Sequence, residues 1–473
     1  MTNGPSFLWH DYETFGADAR SDRPAEFASW RTDAELEPIE DPQVFRCRPP
    51  LDYLPEPVAC QITRIGPESA YADGVSESEF AARIHEILSE PGSCGVGYNS
   101  LRFDDELTRY LFWRNFIDPY EREWANGNCR FDLIDLARAC YALRPDGVEW
   151  PMHAPGKPSF KLTDMTTANH LSHTQAHSAL SDVEATIALA RLLRHQQPRL
   201  FKHALELRNK TRAMGMLDWQ TRKPVLHVSQ RFPADRGCIA MVVPLAPHPS
   251  QANKVIVADA YPDPEALLGW DVEQVAAAVL TPVSDPGRIP VGLKVVHANR
   301  FPFLAPLSAL GGVDLGRIGF DTERLRANAQ RLRDATDLDQ KVQQVFALLE
   351  QGAPKTPDPE LALYAGFVND EDRARMRRFR QAAPEALRTL GAEFKDARLR
   401  TLALRFRARH FPEHLSPPER VRWLSHCRQR LTEPARNLES VRRAARDMPP
   451  ADNALAAEIE AWCSRVAGHA GIA

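Results

Sequence analysis

Four carboxylates are the side chains of this 473-residue sequence with the clearest capacity for chemistry. They are Asp11, Glu13, Asp104 and Asp182. Alternate side chains of a strand share one face, so Asp11 and Glu13 can reach the same cation. Four acids gathered in one place would repel each other unless cations neutralised them. Ligands that are all oxygen favour Mg²⁺ or Mn²⁺ over zinc.

The context of these acids carries more information than their spacing. Asp-x-Glu occurs eight times in the chain, but only the copy that starts at Asp11 closes an apolar strand pattern. Each acid also has a purely structural interpretation. Asp11 and Glu13 could be exposed acids at a strand end, and Asp104 or its neighbour Asp105 could cap a helix. The spacing alone leaves these alternatives open.

His177 is the one histidine among fifteen that has an aspartate five residues later. It lies just before the helix pattern that carries Asp182, although Ser178 could simply cap that helix. An imidazole with an ordinary pKa near ~6.5 can take a proton from an attacking water. Two cations ~3.5–4 Å apart stabilise the attacking and leaving oxygens of a phosphoryl displacement. His177 and the acids therefore indicate metal-assisted hydrolysis of a phosphodiester.

The elements that must position these residues alternate between strand and helix patterns up to residue 196. The sequence predicts strands over 6–13 and 94–98, and helices over 104–116 and 179–195. Such alternation predicts an α/β layered domain.

Two further segments follow with different patterns. Short β-rich runs separated by Pro and Gly turns predict strands, followed by helical stretches. The strands are predicted at 225–228, 238–245, 254–258 and 293–298. Prolines between 352 and 359 predict a linker, and the remaining residues have helical periodicity. The predicted domains are therefore 1–196, 197–352 and 353–473.

The charge distribution is uneven. The net charge is −4, but residues from Pro354 to the end contain 22 Lys and Arg against 16 Asp and Glu. Arginines surround the apolar stripe of a predicted helix near 398–410. Such arginines are typical of solvated helix faces, and a polyanionic partner is the alternative.

Composition excludes several classes. Hydrophobic residues make up 43% and charged residues 26%, which is ordinary globular usage. The apolar runs are shorter than the ~18 residues that a membrane span needs. Eight cysteines without a Cys-x-x-Cys pair favour reduced thiols in the cytoplasm over a zinc ribbon or a disulfide scaffold.

The order of the motifs, Asp-x-Glu, then Asn99 to Asp104, then His177 to Asp182, resembles the DEDDh exonuclease superfamily. Longer stretches are similar to the bacterial exodeoxyribonuclease I family, and the likeness runs essentially from end to end. Those stretches include 7–16, 22–27, 97–106, 139–145 and 407–412. The resemblance implies a ribonuclease-H-like (DnaQ-like) α/β exonuclease domain, an SH3-like β-containing domain and an α-helical C-terminal domain.

The resemblance also implies an activity. The family digests single-stranded DNA from the 3′ end to 5′-mononucleotides, with two Mg²⁺ ions per site and Mn²⁺ as a possible substitute. By similarity, Asp11, Glu13 and Asp182 are the metal ligands, Asp104 completes the acidic set, and His177 is the general base. A cytoplasmic monomer that acts in DNA repair and recombination is expected.

Residues that bind the strand are assigned by the same likeness. Aromatic side chains can stack on unpaired bases without reading sequence. The expected substrate contacts are Glu13, Arg109, Tyr120, Trp124, Arg138, Lys161 and Lys210. Lys161 stands where the family commonly has an arginine, so it keeps the charge but lacks a bidentate fork.

A protein partner is expected as well. The family docks the acidic C-terminal tail of single-stranded-DNA-binding protein in a basic pocket, and Arg144 matches one of its positions. His203 stands where a tyrosine is typical, which predicts an altered pocket. No membrane association is expected.

Three other functions stay open at this stage. The catalytic motifs contact phosphates, so a DEDDh ribonuclease would carry them too. A polymerase proofreading subunit would also carry them, although the 277 residues after 196 exceed what such a subunit needs. The third alternative is a binding module without catalysis.

Overall fold

The computed structural model describes residues 6–173, 178–351 and 358–472. The chain divides into two compact units. The first consists of Met1–Cys129, Thr174–Glu184 and Lys355–Ala473, and the second of Arg130–His173 and Ala185–Pro354. The first unit thus joins parts of the first and third predicted segments, and the three domain bounds stay predictions.

The first unit begins with a mixed α/β layer. Its elements up to residue 114 are β1 Ser6–Thr14, β2 Pro24–Thr32, β3 Gln43–Arg46, α1 Pro57–Thr63, α2 Pro67–Asp73, α3 Glu77–Ser89, β4 Ser93–Gly97 and α4 Asp104–Arg114. The strands lie in the order β3-β2-β1-β4. β1 is antiparallel to β2 and parallel to β4. The predicted strands and helices of this segment are confirmed.

One face of this sheet is apolar because alternate residues of each strand point the same way. Leu8 and Tyr12 of β1 and Phe27 of β2 are buried in one core with Phe80 of α3 and Leu111 of α4. The intervening residues of β1, which include Asp11 and Glu13, therefore point to the opposite face.

The second unit contains the β-rich segment. The elements from 129 to 351 belong to it except Cys129 and residues 179–184, which belong to the first unit. The elements from 129 to 351 are β5 Cys129–Asp132, α5 Leu133–Leu143, β6 Met152–Ala154, β7 Lys157–Pro158, α6 Leu162–Ala168, α7 Ala179–Gln196, α8 Pro198–Glu206, α9 Lys210–Met216, β8 Val225–Val228, β9 Ile239–Pro247, β10 Lys254–Asp259, α10 Glu265–Gly269, α11 Val272–Leu280, β11 Leu293–His297, β12 Phe303–Ala305, α12 Thr322–Asp334 and α13 Leu338–Gln351. Five strands form an antiparallel sheet in the order β11-β10-β9-β8-β12. The four strands predicted here are confirmed.

Helices complete the first unit. They are α14 Asp370–Gln381, α15 Leu387–Ala392, α16 Ala397–His410, α17 Pro417–Leu431, α18 Leu438–Arg446 and α19 Asn453–Ala470. Leu399, Leu402 and Phe406 of α16 share a core with Trp113 and Phe116 at the end of α4 and beyond it. The helical prediction for the C-terminal segment is confirmed.

The prediction that the α16 arginines form a solvated face is wrong for several of them. Arg405, Arg407 and Arg409 have exposed side-chain fractions of 11%, 4% and 5%. Arg407 pairs with Glu419 at 2.8 Å, and Arg409 pairs with Asp52 at 2.7 Å. Asp52 lies 357 residues from Arg409 and Glu419 lies on the next helix, so the periodicity of α16 could not reveal either partner. In the described parts of the chain, no helix has both the length and the hydrophobicity of a membrane span.

Candidate active site

Asp11 and Glu13 lie near the carboxyl end of β1. Asp11 is opposite Ala28 of β2 and Glu13 is opposite Glu26. The register then shifts, so that Thr14 pairs with Pro24. Such bulges bend a strand and redirect its side chains, and they are common beside active sites. The irregularity comes directly after the second acid.

Asp104 is brought to the same edge of the sheet by topology. Because β1 and β4 are parallel, their carboxyl ends meet at one edge, where ligands of α/β sheets bind. α4 begins at Asp104, and Phe103 occupies the N-cap position. The N-cap interpretation of Asp104 is therefore wrong. The neighbouring Asp105 is buried in an ion pair with Arg122.

Asp182 comes from the first turn of α7. Its backbone N–H donates to the carbonyl of Ser178 at 3.0 Å. Each of Asp11, Glu13 and Asp182 offers a carboxylate oxygen, and these three oxygens lie within 4.8 Å of one another. We call these three residues the acidic cluster. His177 lies outside the described residues, so its role stays a prediction.

The acidic cluster is electrostatically costly in the absence of a cation. Burial raises the pKa of Asp11 well above its ordinary value, and the Asp104, Asp182 and Glu13 carboxyls raise it further. Burial, followed by Asp182 and Glu26, raises the pKa of Glu13 to about 8. Carboxyls are thus the strongest neighbouring charges of Asp11 and Glu13, and their mutual repulsion favours a bound cation. Oxygen donors at this spacing therefore fit a hard divalent cation such as Mg²⁺ or Mn²⁺.

A second group of residues has similar ligand types but opposite surroundings. Oxygens and a ring nitrogen of Asp52, Glu360 and His426 also lie within 4.8 Å of one another. We call this group the arginine-bound cluster, because Arg409 pairs with both acids, at 2.7 Å and 2.5 Å. Although burial opposes the shift, Arg409 lowers the pKa of Asp52. A cation has no uncompensated charge to bind here.

Some predicted strand-binding residues of the first unit lie side by side. Trp124 is 69% exposed, as a base-stacking residue would be. Arg109 is buried, pairs with Glu123 at 2.7 Å and lies 5.4 Å from the centre of the Tyr120 ring. Arg109 also donates to the hydroxyl of Tyr364 at 3.1 Å. The sequence pattern did not indicate Tyr364. Contact with a strand stays a prediction for all of them.

The remaining predicted contacts lie in the second unit. Lys161 is exposed and occupies the N-cap position of α6, and Lys210 is exposed at the start of α9. Arg138 is buried, donates to Asp135 at 2.6 Å and lies 5.7 Å from the centre of the Phe160 ring. The two lysines are accessible to phosphates, and Arg138 has an internal partner.

The residues matched to a basic docking pocket are also engaged within the second unit. Arg144 donates to the backbone carbonyls of Ala309 and Gly311, both at 3.1 Å. The His203 ring is 2.7 Å from the carbonyl of Leu304. These bonds fix both side chains, and their part in docking stays a prediction.

The fold and the acids at the edge of its first sheet define an exonuclease domain of the α/β class. The family model described as "Exonuclease" matches residues 8–190. Residues 208–348 match the Exonuclease I SH3-like domain, and residues 357–455 match the Exonuclease I C-terminal domain. This combination confirms the predicted fold class.

Relatives identify the family. Exodeoxyribonuclease I of Escherichia coli (strain K12) is 44% identical over 428 residues, which cover 90% of each chain. The chain belongs to the exodeoxyribonuclease I family. It is therefore an exonuclease, and the alternatives of a proofreading subunit and a binding module are set aside.

Solved structures agree over nearly the whole chain. A structure of E. coli exonuclease I in complex with a 5cy-dT13 oligonucleotide has a TM-score of 0.91 at 40% identity and covers 98% of this chain and 100% of that one. An ExoI/SSB-Ct complex has a TM-score of 0.90 at 40% identity and covers 99% of both chains.

Proposed function

We propose that this protein degrades single-stranded DNA from the 3′ end and releases 5′-mononucleotides. The observation that carries the proposal is the acidic cluster, in which three carboxylate oxygens lie within 4.8 Å of one another. The similar protein solved with an oligonucleotide supports DNA as the substrate.

The acidic cluster would hold two divalent ions, Mg²⁺ with Mn²⁺ as a substitute. Asp11, Glu13 and Asp182 are the ligands, and Asp104 adds negative charge beside Asp11. When bound, such ions lower the pKa of water and stabilise charge on the attacking and leaving oxygens.

The chain's own residues move the proton and position the phosphate. His177 accepts a proton from the water that attacks phosphorus. The bond from phosphorus to the 3′ oxygen of the preceding nucleotide breaks, and that oxygen is protonated. The released nucleotide thus keeps its 5′ phosphate. Lys161 neutralises a phosphate of the strand without a bidentate fork.

Strand binding would combine stacking and charge. Trp124 and Tyr120 offer aromatic faces to unpaired bases, each worth about 1–3 kcal/mol. Lys210 contacts phosphates, while Arg109 and Arg138 support neighbouring rings from their ion pairs. Such binding discriminates against duplex DNA because paired bases hide their faces.

The protein partner, the oligomeric state, the cellular role and the domain bounds are inferred from the likeness to the family. The acidic C-terminal tail of single-stranded-DNA-binding protein would dock near Arg144 and His203. The protein would be a monomer that acts in DNA repair and recombination in the cytoplasm. Its domains would be 1–196, 197–352 and 353–473. The similar ExoI/SSB-Ct complex supports the partner.

Product analysis tests the reaction. Single-stranded oligonucleotides labelled at the 5′ or the 3′ end are digested in Mg²⁺, and the products are separated on a sequencing gel. We expect the 3′ label to appear at once as a mononucleotide, while the 5′-labelled strand shortens in steps. Release of a 5′-terminal mononucleotide first would contradict the polarity. Matched RNA and blunt duplex DNA should be degraded much more slowly, and equal digestion of RNA would favour a ribonuclease.

A further inference from the structure

Three charged side chains form a row across the first sheet. Glu13 of β1 is directly opposite Glu26 of β2, and Glu26 is directly opposite Arg46 of β3. Residues directly opposite one another on adjacent strands project from the same face, with Cβ atoms about 4.5–5.5 Å apart. The row therefore begins at the acidic cluster and ends at a cation.

Glu26 and Arg46 are joined by an ion pair. Nε of Arg46 lies 3.3 Å from a carboxylate oxygen of Glu26. The Glu26 side chain is 12% exposed and the Arg46 side chain is 38% exposed. A second acid, Asp73, is farther away: its carboxylate oxygen is 4.0 Å from a terminal nitrogen of Arg46, and its side chain is largely exposed. Arg46 is thus the main compensation for the charge of Glu26.

We propose that the Glu26–Arg46 pair sets the charge that the acidic cluster presents to divalent cations. Glu26 adds a negative charge directly beside Glu13, and Arg46 offsets it from the next strand. Neither residue needs to touch the cation, so both are positioning residues. The proposal deepens the proposed function and rests on it.

Cation binding in the absence of DNA tests this role. The full chain is titrated calorimetrically with MnCl₂, and with MgCl₂ in parallel. Arg46→Gln leaves Glu26 uncompensated, so the dissociation constant should fall about three- to tenfold. Glu26→Gln removes a negative charge and should raise the constant by a similar factor. The double variant should lie within about twofold of the wild type.

A distant ion pair provides the matched control. Arg465 of α19 pairs with Glu68 of α2 at 2.7 Å, with side chains 45% and 21% exposed. Arg465→Gln should leave the Mn²⁺ dissociation constant unchanged. Circular dichroism and the thermal midpoint in EDTA check that each variant is folded.

The outcomes separate the two proposals. Wild-type protein that binds no Mn²⁺ would contradict the proposed function itself. Wild-type protein that binds Mn²⁺ with an affinity that neither Arg46→Gln nor Glu26→Gln changes would overturn only the role of the pair. Weaker Mn²⁺ binding by Arg46→Gln would overturn it as well, because loss of a positive charge can only strengthen an electrostatic attraction to a cation.

Discussion

The acidic cluster and the arginine-bound cluster are built from similar ligand types at the same spacing. Burial raises the pKa of Asp11 and of Glu13, and the strongest neighbouring charges, which are other carboxyls, raise it further. Around Asp52 and Glu360, buried arginines outweigh the effect of burial and lower the pKa of both acids. Ligand spacing alone therefore does not identify a metal site.

The two clusters differ because arginines pair with the acids of the arginine-bound cluster. α16 brings Arg405 and Arg409 to Glu360, and Arg23 approaches it from beside β2 at 2.6 Å. Glu360 thus joins the start of the described C-terminal segment to the N-terminal α/β layer. Loss of one partner of such a buried ion pair destabilises the folded chain, whereas the repulsion among the carboxyls of the acidic cluster is relieved by a bound cation.

Removal of an acid from the acidic cluster should have the largest effect. Asp182→Asn is expected to reduce the rate of digestion about a thousandfold or more, because ~4 kcal/mol of transition-state stabilisation is lost. In EDTA the same variant should unfold at a higher temperature, because repulsion within the cluster falls. Initial rates and thermal midpoints provide the measurements.

Glu184→Gln is the matched control for Asp182→Asn, since Glu184 is exposed on the same helix. It should retain nearly full activity. If Asp182→Asn kept more than about a tenth of the wild-type rate, the assignment of Asp182 as a ligand would be wrong.

Removal of an acid from the arginine-bound cluster should have the opposite effect on stability. Asp52→Asn takes away one of the two carboxylates that pair with the buried Arg409. The remaining partner, Glu360, also pairs with Arg23 and Arg405, so the change should cost about 3–5 kcal/mol of unfolding free energy. Denaturant titration measures the loss, and Mn²⁺ should not restore it. Glu371→Gln removes an exposed partner of Lys395 and should change the unfolding free energy far less, because solvent screens an exposed ion pair. If Asp52→Asn were more stable than the wild type in EDTA, the two clusters would not differ in their effect on stability.

The smallest effect should be a pH dependence. Burial, Asp182 and Glu26 raise the pKa of Glu13 from 4.5 to about 8 in the metal-free protein. The folded state then binds a proton more tightly than the unfolded state does, so this contribution to stability is lost as pH rises from 4.5 to about 8. Thermal midpoints in EDTA should fall across this window, and Glu13→Gln should flatten the fall. If the thermal midpoints of Glu13→Gln and of the wild type fell equally with pH, the fall would not come from Glu13.

The sequence predicted the fold better than the partners of its charges. Asp11 and Asp182 stood out because a strand end and a helix start can be recognised from local periodicity. The ion pairs of Arg405 and Arg409 join residues tens to hundreds of positions apart, and local patterns contain no signal for them. The same applies to Tyr364, whose contact with Arg109 depends on how the C-terminal segment packs on α4.

The position of bound cations shows which of the two clusters is the metal site. Crystals of the full chain soaked in MnCl₂ would be examined by anomalous scattering at the manganese edge. We predict anomalous peaks beside Asp11, Glu13 and Asp182, and none beside Asp52, Glu360 and His426. A peak at the arginine-bound cluster, with none at the acidic cluster, would show that the acidic cluster is not the metal site.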